Sequence, residues 1–176
     1  MKASVFVGTS VDGFIARLDD TLDFLPADGG EPHGFDEFMA TVDALVMGRN
    51  TYDVVLGLGP WPFNDKPVFV LSSREIPPPP DASAGATIEC MSGTPVEIVA
   101  QLERRGIQSI YVDGGRTIQQ FLEAGLIQRL IVTRVPVLIG TGIPLFGPVP
   151  KDVKLRHVST RSFVSGLVQS EYEVIG

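Results

Sequence analysis

The sequence predicts an α/β fold built on a central, mixed and mostly parallel sheet. Short apolar runs typical of buried strands alternate with segments whose apolar residues recur at helical spacing, and this alternation continues through most of the chain. At the end of the chain two strand-like segments follow each other across a short turn, which adds an antiparallel hairpin to the sheet. We expect residues 1–176 to form a single domain, because the chain is long enough for one core of its own.

The first half of the chain is predicted to supply three strands and two helices. Strands are predicted at 2–8, 44–48 and 67–73, and helices at 34–42 and 50–58. The strands are runs of apolar residues bounded by polar ones. In the first helix the apolar residues are spaced by three and four positions, which places them on one face. The second helix ends at a glycine, a common stop signal.

The second half begins with an extended, proline-rich connector over 77–85 and then alternates again. Strands are predicted at 86–91, 107–115, 126–140, 154–163 and 167–176, and helices at 94–106 and 116–125. The helix at 94–106 carries the clearest signals. Thr94 is in the N-cap position, Pro95 in the first helical position, and Glu97 completes a capping box.

The composition of the chain argues against several classes of binding partner. The net charge is −7, and an acidic chain lacks the clustered basic residues that neutralise nucleic-acid phosphates. We expect no nucleic-acid partner. No apolar run is long enough for a membrane span and no secretion signal is evident, so we expect no membrane and a cytoplasmic location. With Cys90 as the only cysteine and two isolated histidines, we expect neither a disulfide nor a metal site.

Three strand ends carry polar or glycine-rich chemistry. In open α/β sheets, ligands bind beyond the carboxyl ends of the strands, so these three ends are expected to share one site. They comprise Gly48, Arg49, Asn50 and Thr51; Leu71, Ser72, Ser73 and Arg74; and Asp113, Gly114, Gly115, Arg116 and Thr117. Each stretch is also an ordinary turn sequence when taken alone, and that simpler interpretation stays open.

The residue types in these ends suit a dinucleotide. Glycine allows the backbone to approach a ligand closely, and Arg49 offers a planar fork for phosphate. Ser72, Ser73 and Arg74 combine hydroxyls and a cation, as expected around a 2′-phosphate. A glycine pair before a helix leaves N–H groups available for a pyrophosphate. Asp113 is either a ligand contact or a cap for the following helix.

Five stretches resemble, in their order, the dihydrofolate reductase-like superfamily: "SVDGFIA", "ALVMGRNTYD", "PVFVLSSR", "IYVDGGRTIQQFLEAGLI" and "PVLIGTGIPLF". They are most similar to the reductase domain of the bifunctional riboflavin-biosynthesis deaminase/reductase and its stand-alone relatives. The resemblance implies a three-layer fold with about eight strands in its sheet and NADPH as cofactor. It also implies hydride transfer to a pyrimidine- or pteridine-like substrate, as in 5-amino-6-(5-phosphoribosylamino)uracil reductase.

The resemblance also assigns residues to the cofactor. The motif of Gly48, Arg49 and Thr51 is implied to open a helix under the cofactor phosphates, and Ser72 and Arg74 to contact the 2′-phosphate. Gly114 and Gly115 are implied to form the turn under the pyrophosphate and nicotinamide. Four neighbours in the same strand ends are expected to bind the cofactor as well: Leu71, Ser73, Asp113 and Thr117. Val11, Asp12, Ile15 and Ala16 match the mobile loop beside the nicotinamide.

The substrate side is less defined. Related enzymes hold the substrate ring with an acidic residue on the first helix, for which Asp36, Glu37 and Asp28 are candidates. Asp12 and Asp36 are taken as the catalytic residues, although Asp12 also fits a plain turn. Phe24 and Leu25 form either an apolar wall near the nicotinamide or part of the core. The alternative function is a non-catalytic NADPH-binding protein with a degenerate substrate pocket.

A homodimer is expected. The long apolar strand predicted at 126–140 and the neighbouring hairpin are difficult to cover within one small domain, and exposed apolar patches usually mark interfaces. Stand-alone members of the resembling family also look dimeric. Trp61 is interpreted as a packing residue rather than a ligand contact.

Overall fold

The computed structural model describes residues 1–26, 31–78 and 87–176. Within these ranges the elements in chain order are β1 (Lys2–Ser10), β2 (Phe14–Ala16), α1 (Phe35–Met39), β3 (Ala44–Gly48), α2 (Arg49–Gly57), β4 (Val68–Leu71), β5 (Ile88–Met91), α3 (Pro95–Arg104), β6 (Ser109–Asp113), α4 (Gly115–Glu123), β7 (Arg129–Val135), β8 (Ile143–Pro144), β9 (Lys154–Ser162) and β10 (Val168–Ile175). Asp28 and most of the proline-rich connector lie outside the described residues.

One eight-stranded sheet, in the order β5-β4-β3-β6-β1-β7-β10-β9, forms the centre of the fold. The six strands from β5 to β7 are parallel, whereas β10 runs antiparallel to both β7 and β9. The predicted α/β class, the mixed sheet and the closing hairpin are therefore confirmed. Because the six parallel strands end at one edge of the sheet, all three polar strand ends emerge there.

Helices cover both faces of the sheet, which gives three layers. Side chains alternate along each strand, so Val46 and Val112 pack into the core under α3 and α4, whereas Met47 and Tyr111 face α1 and α2. α3 and α4 bury residues such as Ile98 and Phe121, which are fully enclosed. The layer arrangement matters for function because the loops between the layers meet at the carboxyl edge.

The capping box predicted for α3 is confirmed. Thr94 Oγ1 accepts a hydrogen bond from the Glu97 N–H at 3.3 Å, and the Glu97 carboxylate accepts from the Thr94 N–H at 2.7 Å. Pro95 is the first helical residue, where its missing N–H has no partner to lose. The N-terminus of α3 is thus satisfied by its own side chains.

The strand predicted over 126–140 is shorter than expected. β7 ends at Val135 because Pro136 has no N–H to donate to a neighbouring strand. β7 also lies inside the sheet, between β1 and β10, so its apolar residues are covered within the chain. The short pair β2 and β8 was not predicted, since runs of three and two residues give no periodic signal. No helix in the described ranges is long and apolar enough to cross a membrane.

Candidate functional site

A cleft of about 560 Å³ opens at the carboxyl edge of the sheet. It lies where the ends of β1, β3 and β6 meet the segments that follow them. Its lining consists of Phe6, Val7, Gly8, Ile15, Ala16, Asp20, Leu22, Leu25, Phe35, Gly48, Arg49, Asn50, Thr51, Val54, Val55, Leu58, Pro62, Phe63, Leu71, Tyr111, Asp113, Gly114, Gly115, Arg116, Thr117, Gln120 and Ile143.

Most of the predicted cofactor residues line this cleft. They are Ala16, Gly48, Arg49, Thr51, Leu71, Asp113, Gly114, Gly115 and Thr117. The exceptions are Ser72, Ser73 and Arg74, which continue the chain directly beyond Leu71 and do not line the cleft. The structure therefore brings two of the predicted strand ends together completely and the third through its first residue. Their contacts with a cofactor stay a prediction.

Two glycines and two threonines join α2 to α4 at the base of the cleft. A Cβ atom added to Gly48 would lie 3.0 Å from Thr117 Oγ1, and a Cβ atom added to Gly114 would overlap the Thr51 hydroxyl. Each glycine thus makes room for the threonine of the other helix. Gly114 also has φ of 91°, which side chains rarely tolerate, whereas Gly48 has an ordinary φ of −75°.

The N-termini of α2 and α4 have no side-chain caps. Their N-cap residues are Gly48 and Gly114, neither of which can offer an oxygen, and neither helix has an acidic residue in its first turn. Both ends border the cleft, unlike that of α3, which is closed by its capping box. The first N–H groups of a helix need acceptors, and two uncapped ends side by side suit an anion. This arrangement fits the two phosphates of a dinucleotide.

Arg49 is held by its own helix and by the loop after β4. Its Nε donates to both carboxylate oxygens of Asp53, at 3.0 and 3.1 Å, and its Nη1 donates to the Glu75 carbonyl at 3.0 Å. The residue lines the cleft, as predicted, but its Nε and Nη1 groups are already engaged. Its observed role is to fix the segment that carries Arg74 against α2.

The turn after β4 is tightly organised around Arg74. Ser72 Oγ accepts from the Arg74 N–H at 3.0 Å and donates to the Arg74 carbonyl at 2.8 Å. Cys90 Sγ donates to the same carbonyl at 3.3 Å. Ser72 therefore uses its hydroxyl to shape the turn, while the Arg74 side chain is exposed at the rim of the cleft.

Asp113 is a partly buried carboxyl group at the end of β6. It accepts a hydrogen bond from the Gly114 N–H at 2.8 Å, and the nearby Tyr111 hydroxyl donates to the Phe6 carbonyl at 2.8 Å. Burial raises the pKa of Asp113 to about 6, although the hydrogen bond from the Gly114 N–H and the proximity of the Tyr111 hydroxyl oppose the shift. Burial, followed by the neighbouring Asp113, also raises the pKa of Tyr111 well above its usual value. Asp113 thus titrates near neutral pH inside the cleft.

The two carboxylates proposed as catalytic lie elsewhere. Asp12 accepts from the N–H groups of Gly140, at 2.8 Å, and Ile139, at 3.3 Å, so it ties the turn before β2 to the loop after β7. A hydrogen bond from Ser10 and these N–H groups lower its pKa. This is the structural alternative left open for Asp12. Asp36 is exposed in the first turn of α1, where a carboxylate suits the helix dipole, and does not line the cleft.

An apolar wall forms the side of the cleft under α1 and α2. It consists of Phe6, Leu22, Leu25, Phe35, Val54, Val55, Leu58, Pro62 and Phe63. Of the predicted pair, Leu25 belongs to this wall, whereas the Phe24 ring lies near the Arg17 guanidinium, 6.0 Å away. The other members were missed because apolar residues scattered over several segments look like ordinary core. Trp61 packs edge-on against Tyr52 and Phe63, as predicted.

Residues 31–35, here called the strap, are fastened to the C-terminal hairpin. The Glu31 carboxylate accepts from the N–H and Oγ of Ser165, at 2.9 and 2.7 Å. The His33 carbonyl accepts from Gln169 Nε2 at 2.9 Å, and the His33 ring packs against Phe6. The strap leads directly into Phe35, so the hairpin positions part of the apolar wall.

Comparison with known proteins agrees with this geometry. The model of the RibD C-terminal domain family matches residues 2–169. Protein YwjB of Bacillus subtilis (strain 168) is 31% identical over 165 residues, covering 92% of each chain. The crystal structure of a Shewanella sp. PV-4 protein assigned to riboflavin biosynthesis is 37% identical, covers 100% of both chains and has a TM-score of 0.88.

Two more distant structures share the fold. The Thermotoga maritima diaminohydroxyphosphoribosylaminopyrimidine deaminase/5-amino-6-(5-phosphoribosylamino)uracil reductase has a TM-score of 0.75 at 14% identity, covering 99% of this chain and 56% of that one. Dihydrofolate reductase from Enterococcus faecalis, complexed with NADP(H), has a TM-score of 0.67 at 18% identity, covering 99% and 97%. The dihydrofolate reductase-like fold implied by the five motifs is confirmed, and the chain belongs to the RibD C-terminal domain family.

Proposed function

We propose that the protein is an NADPH-dependent reductase that transfers a hydride to a small, flat heterocycle. One observation carries the proposal: two uncapped helix N-termini meet over close-packed glycines, directly beside an apolar wall. The first part suits the phosphates of a dinucleotide, and the second suits an aromatic ring system. Membership in a family of reductases related to riboflavin biosynthesis supports the same reaction class.

The chain's residues suit NADPH in three places. The N–H groups at the starts of α2 and α4 would receive the pyrophosphate, with Thr51 and Thr117 beside them. Ile15 and Ala16 from β2 would flank the nicotinamide near Gly115. Arg74, held at the rim by its fixed backbone, would meet the 2′-phosphate. When bound, NADPH supplies the hydride for the reaction.

The protein's own contribution is placement, exclusion of water and a proton. The apolar wall would hold a flat ring and displace water from it. Reduction of a C=N bond adds a hydride at carbon and a proton at nitrogen. Asp113 lies on the same face of β6 as Tyr111, toward the apolar wall, and can carry that proton near neutral pH. Asp113 thereby replaces Asp12 and Asp36 as the proposed acid.

Removal of the Arg74 side chain tests the cofactor assignment. Arg74→Ala should weaken NADPH binding by about 1.5–3 kcal/mol, because a charge-assisted bond to the 2′-phosphate is lost. NADH, which lacks that phosphate, should bind almost unchanged. Isothermal titration with both cofactors measures the difference. Arg104→Ala is the control, since Arg104 is exposed in the last turn of α3, away from the cleft. Equal weakening of NADPH and NADH would refute the assignment.

The alternative is an NADPH-binding protein without turnover. It is favoured by the absence of Asp12 and Asp36 from the lining of the cleft. Anaerobic mixing of protein and NADPH with dihydropterins, while absorbance at the nicotinamide band is followed, separates the two functions. Stoichiometric binding with no oxidation of NADPH for any acceptor would establish the alternative.

We also propose a cytoplasmic homodimer. The apolar strand predicted at 126–140 does not support a dimer, because β7 is covered inside the sheet. The edge strand β9 gives a stronger argument. All nine residues of β9 are exposed, and it is an edge strand that neither layer of helices covers.

Light scattering at micromolar concentration tests the dimer and should give twice 18.9 kDa, about 38 kDa. Val158→Lys, which places a charge on the exposed face of β9, should shift the mass toward the monomer. A monomer mass for the wild type would contradict the dimer.

A further inference from the structure

The positively charged residues that line the cleft lie at its glycine-rich end and not along its apolar wall. Only two of the chain's 14 Lys and Arg residues, Arg49 and Arg116, are among the lining residues. Both belong to the helix starts at the glycine-rich end. The carboxyl groups of Asp20 and Asp113 also line the cleft. Apart from these, the wall under α1 and α2 is made of aliphatic and aromatic side chains.

Both arginines are placed at the glycine-rich end. The Nε and Nη1 groups of Arg49 bind Asp53 and the Glu75 carbonyl, which holds its guanidinium beside the start of α2. Arg116 follows Gly115 in the first turn of α4, beside the N–H groups that suit the cofactor's phosphates. Of the other arginines, Arg74 is assigned to the 2′-phosphate of the cofactor, Arg17 pairs with Asp23, and Arg161 binds Gln169 and the strap.

The segments at 27–30 and 79–86 add no positively charged residue to those near the cleft. Their sequences, Ala-Asp-Gly-Gly and Pro-Pro-Asp-Ala-Ser-Ala-Gly-Ala, contain no lysine, arginine or histidine. Each segment contributes an aspartate instead. Wherever these residues lie, they bring no positive charge to the substrate.

We propose that the substrate is an uncharged, flat heterocycle that carries no phosphate ester. This inference rests on the proposed function and deepens it by naming the substrate class. A phosphate dianion placed against the apolar wall would lose its hydration without gaining a cation, and the carboxylate of Asp20, together with that of Asp113 when it is ionised, would repel it. The anion-binding helix ends are committed to the cofactor. The protein therefore differs in specificity from a reductase that acts on a phosphoribosylamino substrate.

A matched pair of fluorescent pterins tests the proposal. Neopterin and neopterin 3′-phosphate differ only in the phosphate ester, and fluorescence titration gives both dissociation constants in the presence of NADP⁺. We expect neopterin to bind at least about tenfold more tightly than its phosphate at low salt. Equal or tighter binding of the phosphate, or no binding of neopterin at millimolar concentration, would overturn the proposal.

A positive charge can be introduced into the cleft by substitution of Leu58. It lines the cleft at the end of α2 and is 64% exposed, so a longer polar side chain is accommodated there without repacking. Leu58→Lys should raise the affinity for neopterin 3′-phosphate relative to that for neopterin by about fivefold, whatever the loss of apolar contact costs both ligands. Leu58→Gln, similar in shape but neutral, is the matched control and should strengthen neither. An equal gain for Leu58→Gln would show that charge is not the missing element.

Different experimental results would refute the proposed substrate class and the proposed reaction. Pterin affinities are equilibrium measurements and require no turnover. If neopterin binds well and its phosphate poorly, but NADPH is not oxidised by dihydroneopterin or other uncharged dihydropterins, the reaction is wrong and the preference for uncharged ligands stands. If NADPH is oxidised only by phosphorylated acceptors, the reaction stands and the proposed substrate class is wrong.

Discussion

Gly114→Ala should lower the melting temperature by roughly 5–15 °C and abolish the stabilisation by NADPH. Two effects add. The backbone at Gly114 has φ of 91°, a conformation that costs about 1–3 kcal/mol for a residue with a side chain. The new methyl group would also overlap the Thr51 hydroxyl and push α2 away from α4. Because the proposed cofactor site consists of these two helix starts, their separation should remove binding as well as stability.

Gly57→Ala is the control for this variant. Gly57 is the last residue of α2, and a Cβ atom there meets no atom within 4 Å. Alanine is the better helix former, so this change should be neutral or stabilising by up to about 1 kcal/mol. The double variant Gly114→Ala/Thr51→Ala should recover part of the loss, since it removes the overlap but not the backbone strain. Unchanged melting of Gly114→Ala would disprove the described packing of α2 on α4.

Asp113→Asn should lower kcat/KM by about 10²–10⁴-fold, the usual contribution of a positioned acid. Asparagine keeps the shape of the side chain but has no proton to transfer. In the wild type, the rate should fall as pH rises through about 6, because the protonated form of Asp113 disappears there. The variant should show no such decline. A parallel pH profile in wild type and variant would exclude Asp113 as the acid. Asp152→Asn, at an exposed position outside the cleft, is the control.

The same variant should be more stable than the wild type at neutral pH. The pKa of Asp113 is raised from 3.8 when unfolded to about 6 when folded, so the folded protein binds this proton more tightly. The resulting stabilisation is complete below pH 3.8 and is lost as pH rises through about 6. Asparagine never ionises, so it should gain on the order of 1 kcal/mol over the wild type at pH 7.5 and little at pH 4. Urea unfolding at both pH values measures this. Loss of activity together with gain of stability would identify Asp113 as a residue kept for function.

The elements with strong local signals could be predicted from the sequence. The capping box of α3 and the apolar strands β3 and β6 depend on neighbouring residues, so their positions follow from short-range rules. The carboxyl ends of these strands also identified the cleft, because parallel strands must end at the same edge. β7 was predicted too long because the apolar pattern continued past Pro136, which the sheet could not accept.

The substrate side could not be predicted, because it depends on contacts between distant segments. Phe6, Phe35 and Phe63 come from three separate segments, and each looks like a core residue in its own stretch of sequence. The engagement of Arg49 by the Glu75 carbonyl likewise depends on how a loop returns to α2. The role of Asp113 as a titrating group follows from burial, which the motif alone does not specify.

The strap gives the protein a definite order of assembly. Glu31 and His33 are held by residues of the C-terminal hairpin that follow them by 134 and 136 positions. Contacts of such long range require a large loop to close and form slowly. On a ribosome, Phe35 emerges long before its support at 165–169 has been made. A nascent chain can therefore pair the six parallel strands and form the two helix starts while the wall proposed to receive the acceptor ring is still open, and that wall is completed only after the hairpin has been added.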